Sequence, residues 1–93
     1  MTAPYPVSIL DLATVRHGQP IAESLQESTE LAVLADTLGF HRLWFAEHHN
    51  METIASSATS VLLAHIGAHT KNIRLGAGGI MLPNHAPLVI AEQ

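Results

Sequence analysis

The 93-residue chain contains no cysteine, which excludes disulfide bonds, thiolate metal sites and cysteine nucleophiles. It is also poor in cations, with four Lys and Arg against eight Asp and Glu and a formal net charge of −4. Because these four cations are scattered, the sequence predicts that neither nucleic acid nor a membrane surface is a partner. No apolar run approaches the roughly 20 residues that span a bilayer, and the N-terminus lacks the pattern of a signal peptide. We therefore expect a cytoplasmic protein.

Charged residues are scarce, at 13% of the chain, whereas hydrophobic residues make up 47%. This composition is too apolar for a disordered chain and has too little charge for a small free-standing domain. The sequence therefore predicts a single partial domain over residues 1–93. Much of its surface would be buried against further polypeptide or against another subunit, so we expect a homo-oligomer.

Strand-like and helix-like segments alternate along the chain. Short β-rich runs lie at residues 7–12, 42–46 and 73–78, and apolar residues recur at helical spacing after each run. Gly39 is placed to end the first helix, with Phe40 folding back on it, and Ser56 or Ser57 is placed to cap the second. Regular βα alternation predicts an α/β fold with a parallel sheet and right-handed crossovers. A doubly wound sheet and a (β/α)8 barrel both fit this pattern.

Polar residues follow the second predicted strand without a break. Glu47, His48 and His49 lie at its C-terminal end, which faces the ligand site in parallel α/β folds. Since neighbouring strand residues point to opposite faces, the two histidines are not expected to share a metal ion, and no metal site is predicted. One histidine there can act as an acid or base. Alternatively, Glu47 and one histidine only form hydrogen bonds to neighbouring loops.

The third predicted strand ends in glycine, at Gly76, Gly78 and Gly79. Residues without side chains at a strand end allow a flat ligand to approach closely, or they mark a bulge or tight bend. Other polar residues carry weaker signals. Asp11 is a candidate pocket residue at the end of the first strand, Asp36 is expected to be solvated on the polar face of its helix, and His85 is a candidate pocket residue in a loop.

In order and spacing, four segments of the chain resemble the bacterial luciferase-like monooxygenases, a family of flavin-dependent (β/α)8 barrels. The resemblance runs from about residue 7 to residue 93. It implies that the chain forms the first three βα units of such a TIM barrel, its N-terminal part. The segments are Leu38-Gly39-Phe40, Trp44-Phe45-Ala46-Glu47-His48-His49, Ala58-Thr59-Ser60-Val61 and the stretch from Gly76 to Pro83.

The resemblance also implies a cofactor, a reaction and site residues. The cofactor would be FMN, in the reduced form supplied by a flavin reductase, in preference to the deazaflavin F420. With O2 it would oxygenate a small organic substrate. His48 would be the catalytic acid/base. Glu47, Ala77, Gly78 and Gly79 would bind the flavin, with a cis peptide between the two glycines.

Two expectations bear on the chain by itself. The residues that bind the flavin phosphate in the family lie beyond Gln93, so we expect the 93-residue chain to be inactive alone. The alternative function is a non-catalytic α/β module that self-associates to bury its sheet. A metal-dependent hydrolase that uses Glu47 and His48 is a third possibility.

Overall fold

The computed structural model describes residues 4–93 and shows strands and helices in strict alternation. Strands β1, β2 and β3 span Ser8–Asp11, Arg42–Phe45 and Arg74–Ala77. Helices α1, α2 and α3 span Ile21–Thr37, Thr59–His69 and Pro87–Glu92, and a 3-10 turn covers Leu82–Asn84. The predicted α/β alternation is confirmed, and each strand is slightly shorter than the sequence pattern predicts.

The three strands form one parallel sheet in the order β1-β2-β3. Its register places Leu10, Trp44 and Gly76 side by side across the sheet. Helices α1 and α2 both pack on one face, where Leu43 and Phe45 of β2 are fully buried. The opposite face is not covered by either helix, as expected for the inner wall of a (β/α)8 barrel.

Small side chains bring α1 close to the sheet. Ala32 and Ala35 of α1 are almost completely buried and pack against the β2 side chains, together with Ile66 of α2. On the uncovered face, Leu10 is 57% exposed. Trp44 is half-buried on that face, and the guanidinium carbon of Arg42 lies 4.6 Å from its ring centroid. The core therefore lies between the sheet and the two helices.

The end of α1 has the geometry that its sequence predicts. Gly39 adopts a left-handed conformation, with φ of 82°, and its amide donates to the carbonyl oxygen of Asp36 at 3.2 Å. The Phe40 amide donates to the carbonyl oxygen of Ala35 at 3.0 Å, and the Phe40 side chain packs against the core. This pair of hydrogen bonds is a Schellman motif, which a glycine at its left-handed position allows without steric cost.

Of two predictions about polar residues, that for Asp36 is incomplete and that for Ser56 is wrong. The Asp36 carboxylate is not simply solvated but accepts the backbone amides of Lys71, Asn72 and Ile73 at 2.7, 3.0 and 2.8 Å. These bonds, that of Lys71 foremost, hold the pKa of Asp36 below its ordinary value. Ser56 does not cap α2: Ala58 is at the N-cap, without a side-chain hydrogen bond, whereas the buried Ser56 hydroxyl donates to the carbonyl oxygen of Ala46 at 2.7 Å.

Within residues 4–93, none of the helices combines the length and the hydropathy needed to cross a lipid bilayer.

Candidate functional site

The C-terminal ends of β2 and β3 are joined by hydrogen bonds that extend beyond the regular strands. The Gly78 amide donates to the carbonyl oxygen of Phe45 at 2.7 Å, and the Glu47 amide donates to the carbonyl oxygen of Gly79 at 3.0 Å. The peptide bond between Gly78 and Gly79 is cis. The structure thus places Glu47 beside the glycine pair at the end of the sheet where a barrel carries its active site.

The Glu47 carboxylate is the most highly connected group at this end of the sheet. Its side chain is only 1% exposed. Oε1 accepts hydrogen bonds from Nε2 of His85 at 2.6 Å and from the Met81 amide at 3.2 Å. Oε2 accepts from Nε2 of His49 at 2.5 Å and from the side-chain amide of Asn84 at 3.2 Å. Both oxygens are therefore satisfied without any ligand.

These donors keep Glu47 ionised despite its burial. Hydrogen bonds, the one from His49 foremost, lower the pKa of Glu47 from 4.5 to about 2, against the opposing effect of desolvation. Both imidazoles need only a hydrogen on Nε2 to donate, so neither has to be charged. Glu47 thus bonds to the β3–α3 loop, as in the alternative noted from the sequence, whereas His49 bonds to Glu47 itself.

His48 faces a different part of the structure from Glu47 and His49. It lines an open cleft with Ile21 of α1 and with residues of the β2–α2 loop that include Asn50 and Met51. Its Nδ1 lies 3.3 Å from the carbonyl oxygen of Ala46, and a carbonyl oxygen can only accept. Nδ1 is therefore the donor in this contact, and Nε2 makes no hydrogen bond within the described residues.

The strand-end glycines have two different roles in the packing. A Cβ atom at Gly76 would lie 2.8 Å from the Trp44 ring, and one at Gly78 would lie 3.1 Å from it. A Cβ atom at Gly79 would have no neighbour within 4 Å. Gly76 and Gly78 thus make room for an indole of the chain itself, and open space for a ligand lies only at Gly79. Ala77, the last residue of β3, is half-buried opposite Phe45.

The described residues fit the ring of a flavin better than its phosphate. The open space at Gly79 suits a flat ring, whereas a phosphate needs unpaired cations or backbone amides. Arg42, Lys71 and Arg74 lie at or before the N-terminal ends of their strands, away from this site. Arg16 follows β1 but binds the Glu27 carboxylate at 2.7 and 3.1 Å. Residues 4–93 therefore provide a place for the ring and no unpaired cation beside it.

Sequence reasoning identified some residues of this site without identifying their contacts. His85 was a candidate pocket residue, but nothing in the sequence connected it, Asn84 or the Met81 amide with Glu47. Asp11 lies at the edge of a small cavity beside Thr14, as expected for the end of β1. In the described part of the chain, no group of three His, Asp or Glu side chains is arranged to hold a metal ion.

Comparison with known proteins identifies relatives along almost the whole chain. The sequence model of the luciferase-like monooxygenases matches residues 6–93. A luciferase-like monooxygenase of Escherichia coli K12 is 56% identical over 92% of the chain. The N-acetyl-S-alkylcysteine monooxygenase of Bacillus subtilis is 45% identical over 94% of it. The chain spans 26% of the length of each relative.

Solved structures show the same fold. The crystal structure of apo-MsnO8 superposes with a TM-score of 0.90 at 46% identity, covering 94% of this chain and 26% of that protein. The oxygenating constituent of 3,6-diketocamphane monooxygenase from Pseudomonas putida, a type II Baeyer–Villiger monooxygenase in complex with FMN, superposes at 0.85. That protein is 22% identical, with 92% of this chain and 24% of that one covered, and it supports the fold alone. The chain therefore belongs to the luciferase-like monooxygenase family and has the fold of the first three βα units of its barrel.

Proposed function

We propose that residues 1–93 form a partial domain that holds the flavin ring in an FMN-dependent monooxygenase. When bound, reduced FMN supplies the electrons with which O2 oxygenates a small organic substrate. The observation that carries the proposal is the open space at Gly79, beside Glu47, at the active-site end of a sheet of this family. The choice of FMN over F420 as the cofactor comes from the family resemblance and belongs to the proposal.

Each site residue has a separate task in this proposal. Gly79 leaves space for the ring, and Gly78 and Ala77 form the backbone beside it. Glu47 acts as a positioning group, since both of its oxygens are engaged by donors of the chain itself. His48 accepts or returns a proton of the substrate at Nε2, while its Nδ1 hydrogen is directed to the carbonyl oxygen of Ala46.

The proposal extends to the surroundings of the chain. A flavin reductase would supply reduced FMN, and the cytoplasmic location and the homo-oligomer expected from the composition belong to the same proposal. By itself the 93-residue chain would be inactive, because its described residues provide no unpaired cation for the phosphate at the strand-end site.

A graft tests the proposal in a complete barrel. Residues 7–93 would replace the matching segment of the B. subtilis N-acetyl-S-alkylcysteine monooxygenase, and bound FMN and oxygenation of its substrate would be measured with a reductase present. We expect the graft to bind FMN, with the unmodified B. subtilis enzyme measured in parallel. His48→Ala should abolish most turnover and keep FMN, and Gly79→Val should lose FMN. His17→Ala, in an exposed loop, serves as the control. A folded graft that binds no FMN would refute the proposal.

A second candidate function, the self-associating module, is favoured by the uncovered face of the sheet. Leu10 is 57% exposed there, and burying such a face would stabilise a complex of two or more copies. Sedimentation velocity of the wild-type chain and of Leu10→Lys distinguishes the cases. Association that the lysine abolishes would support the module, and a wild-type monomer at all concentrations would exclude it.

A further inference from the structure

We propose that His85 is a positioning residue of this site, which acts through Glu47 to hold the backbone from Gly79 to Met81 in place. The inference rests on the proposed function only in naming that backbone as the floor of a flavin site. The contacts that carry it belong to the chain itself.

Glu47 holds the Gly79–Met81 segment at both of its ends. Its backbone amide donates to the carbonyl oxygen of Gly79 at 3.0 Å, and its Oε1 accepts the Met81 amide at 3.2 Å. One residue at the end of β2 therefore fixes two points of the segment that follows β3. Movement of the carboxylate would break the hydrogen bond from the Met81 amide and leave the backbone hydrogen bond to Gly79 in place.

The 3-10 turn Leu82–Asn84 brings the chain back toward the same carboxylate. The Asn84 amide donates to the carbonyl oxygen of Met81 at 3.0 Å, and the His85 amide donates to that of Leu82 at 3.1 Å. At the end of this turn, the side chain of Asn84 reaches Oε2, and the imidazole of the next residue, His85, reaches Oε1. Residues 79–85 are thus attached to Glu47 at four points.

His85 binds Oε1 of Glu47, the carboxylate oxygen to which the Gly79–Met81 segment is attached. Its Nε2 lies 2.6 Å from Oε1, the oxygen that also accepts the Met81 amide. His49 binds Oε2 from two residues along the same strand end, so it orients the carboxylate locally. His85 comes instead from the β3–α3 loop and links the two strand ends. Its side chain is 32% exposed, so replacing it empties little of the core.

The test measures amide hydrogen exchange by NMR on the 93-residue chain, with no flavin present. We expect His85→Ala to speed exchange of the Met81 amide by about tenfold, as loss of a hydrogen bond to a charged group implies. The amides of Leu43 and Phe45 in the core should keep their rates. His85→Gln, whose amide nitrogen replaces Nε2, should restore slow exchange at Met81. His17→Ala should match the wild type.

A second readout follows the carboxylate itself. In His85→Ala, the pKa of Glu47, measured from its carboxyl carbon shift, should rise from about 2 toward the ordinary 4.5. If the alanine variant does not fold, His85→Asn, which keeps an amide and shortens its reach, provides the same comparison with His85→Gln.

Unchanged exchange at Met81, or faster exchange of equal size throughout β2, would overturn the positioning role. Failure of the glutamine variant to restore slow exchange would also overturn it. Because these measurements involve no flavin, a graft that fails to retain FMN would refute the proposed function and leave the role of His85 intact.

Discussion

The contact between Gly76 and Trp44 provides the sharpest test of the packing at the end of β3. Gly76 lies opposite Trp44 in the register of the sheet. In Gly76→Ala, the added methyl group would lie 2.8 Å from Cζ3 and 2.9 Å from Cε3 of the indole, whereas ordinary contacts begin at 3.4 Å. The same edge of the indole also runs past Gly78, where an added Cβ atom would lie 3.1 Å from Cε3, and Arg42 stacks on the ring, so these neighbours limit how far the indole can turn aside.

The size of the effect follows from overpacking. Inserting a methyl group into a closely packed site typically costs about 1–3 kcal/mol. The loss of backbone freedom in the unfolded chain offsets about 0.4–1 kcal/mol of this. We therefore expect Gly76→Ala to lower the free energy of unfolding by about 1–2 kcal/mol, or Tm by roughly 5–15 °C for a domain of this size.

Gly67→Ala is the matched control. Gly67 lies within α2, and a Cβ atom there would meet Cδ1 of Leu75 at 3.6 Å, an ordinary contact. Removing glycine from a helix interior should raise stability by up to about 1 kcal/mol. Two changes of the same chemistry are thus expected to have opposite signs.

Urea denaturation followed by circular dichroism and by fluorescence of Trp44, the only tryptophan, measures both changes. In a Trp44→Leu background, followed by circular dichroism alone, Gly76→Ala should no longer destabilise and should raise stability by about 0.4–1 kcal/mol, because the indole atoms that the methyl group would meet are gone and the effect on the unfolded chain remains. A neutral Gly76→Ala in the wild-type background, or the same penalty in both backgrounds, would refute the packing argument.

Three further predictions concern the carboxylates and the cofactor. The pKa of Glu47 is about 2 in the folded chain rather than 4.5, so its contribution to stability should be complete above about pH 4.5 and lost as the pH falls to 2. When the urea midpoint is measured against pH, Glu47→Gln should flatten the curve between these two values. Asp36→Ala should lower the urea midpoint and speed hydrogen exchange of the three backbone amides that donate to its carboxylate, those of Lys71, Asn72 and Ile73. Glu30→Ala should change neither quantity. The chain alone should bind FMN with a Kd above about 1 µM by fluorescence titration. Tighter binding would contradict the inference that residues 4–93 place no unpaired cation at the strand-end site.

The features that the sequence predicts correctly depend on neighbouring residues. The alternation of strands and helices follows from the spacing of apolar side chains, and the end of α1 follows from Gly39 and Phe40, which are adjacent in the chain. The opposite orientation of His48 and His49 likewise requires only the two-residue repeat of a strand. Such features can be predicted because their energies involve residues within about one turn of each other.

The features that the sequence does not predict depend on pairs far apart in the chain. Asp36 is on the polar face of α1 by periodicity, and only the return of the chain some 35 residues later places three amides around it. The glycines of β3 look like space for a ligand until the register shows Trp44 opposite Gly76. An ionisable residue can be solvated or hydrogen-bonded, and a glycine can leave space for a ligand or for a side chain of the same chain. Contacts with distant residues decide between these roles. The same reasoning gives weight to Glu47: a buried carboxylate is stable only when it is hydrogen-bonded, and here three of its four donors come from the loop that follows the proposed flavin platform.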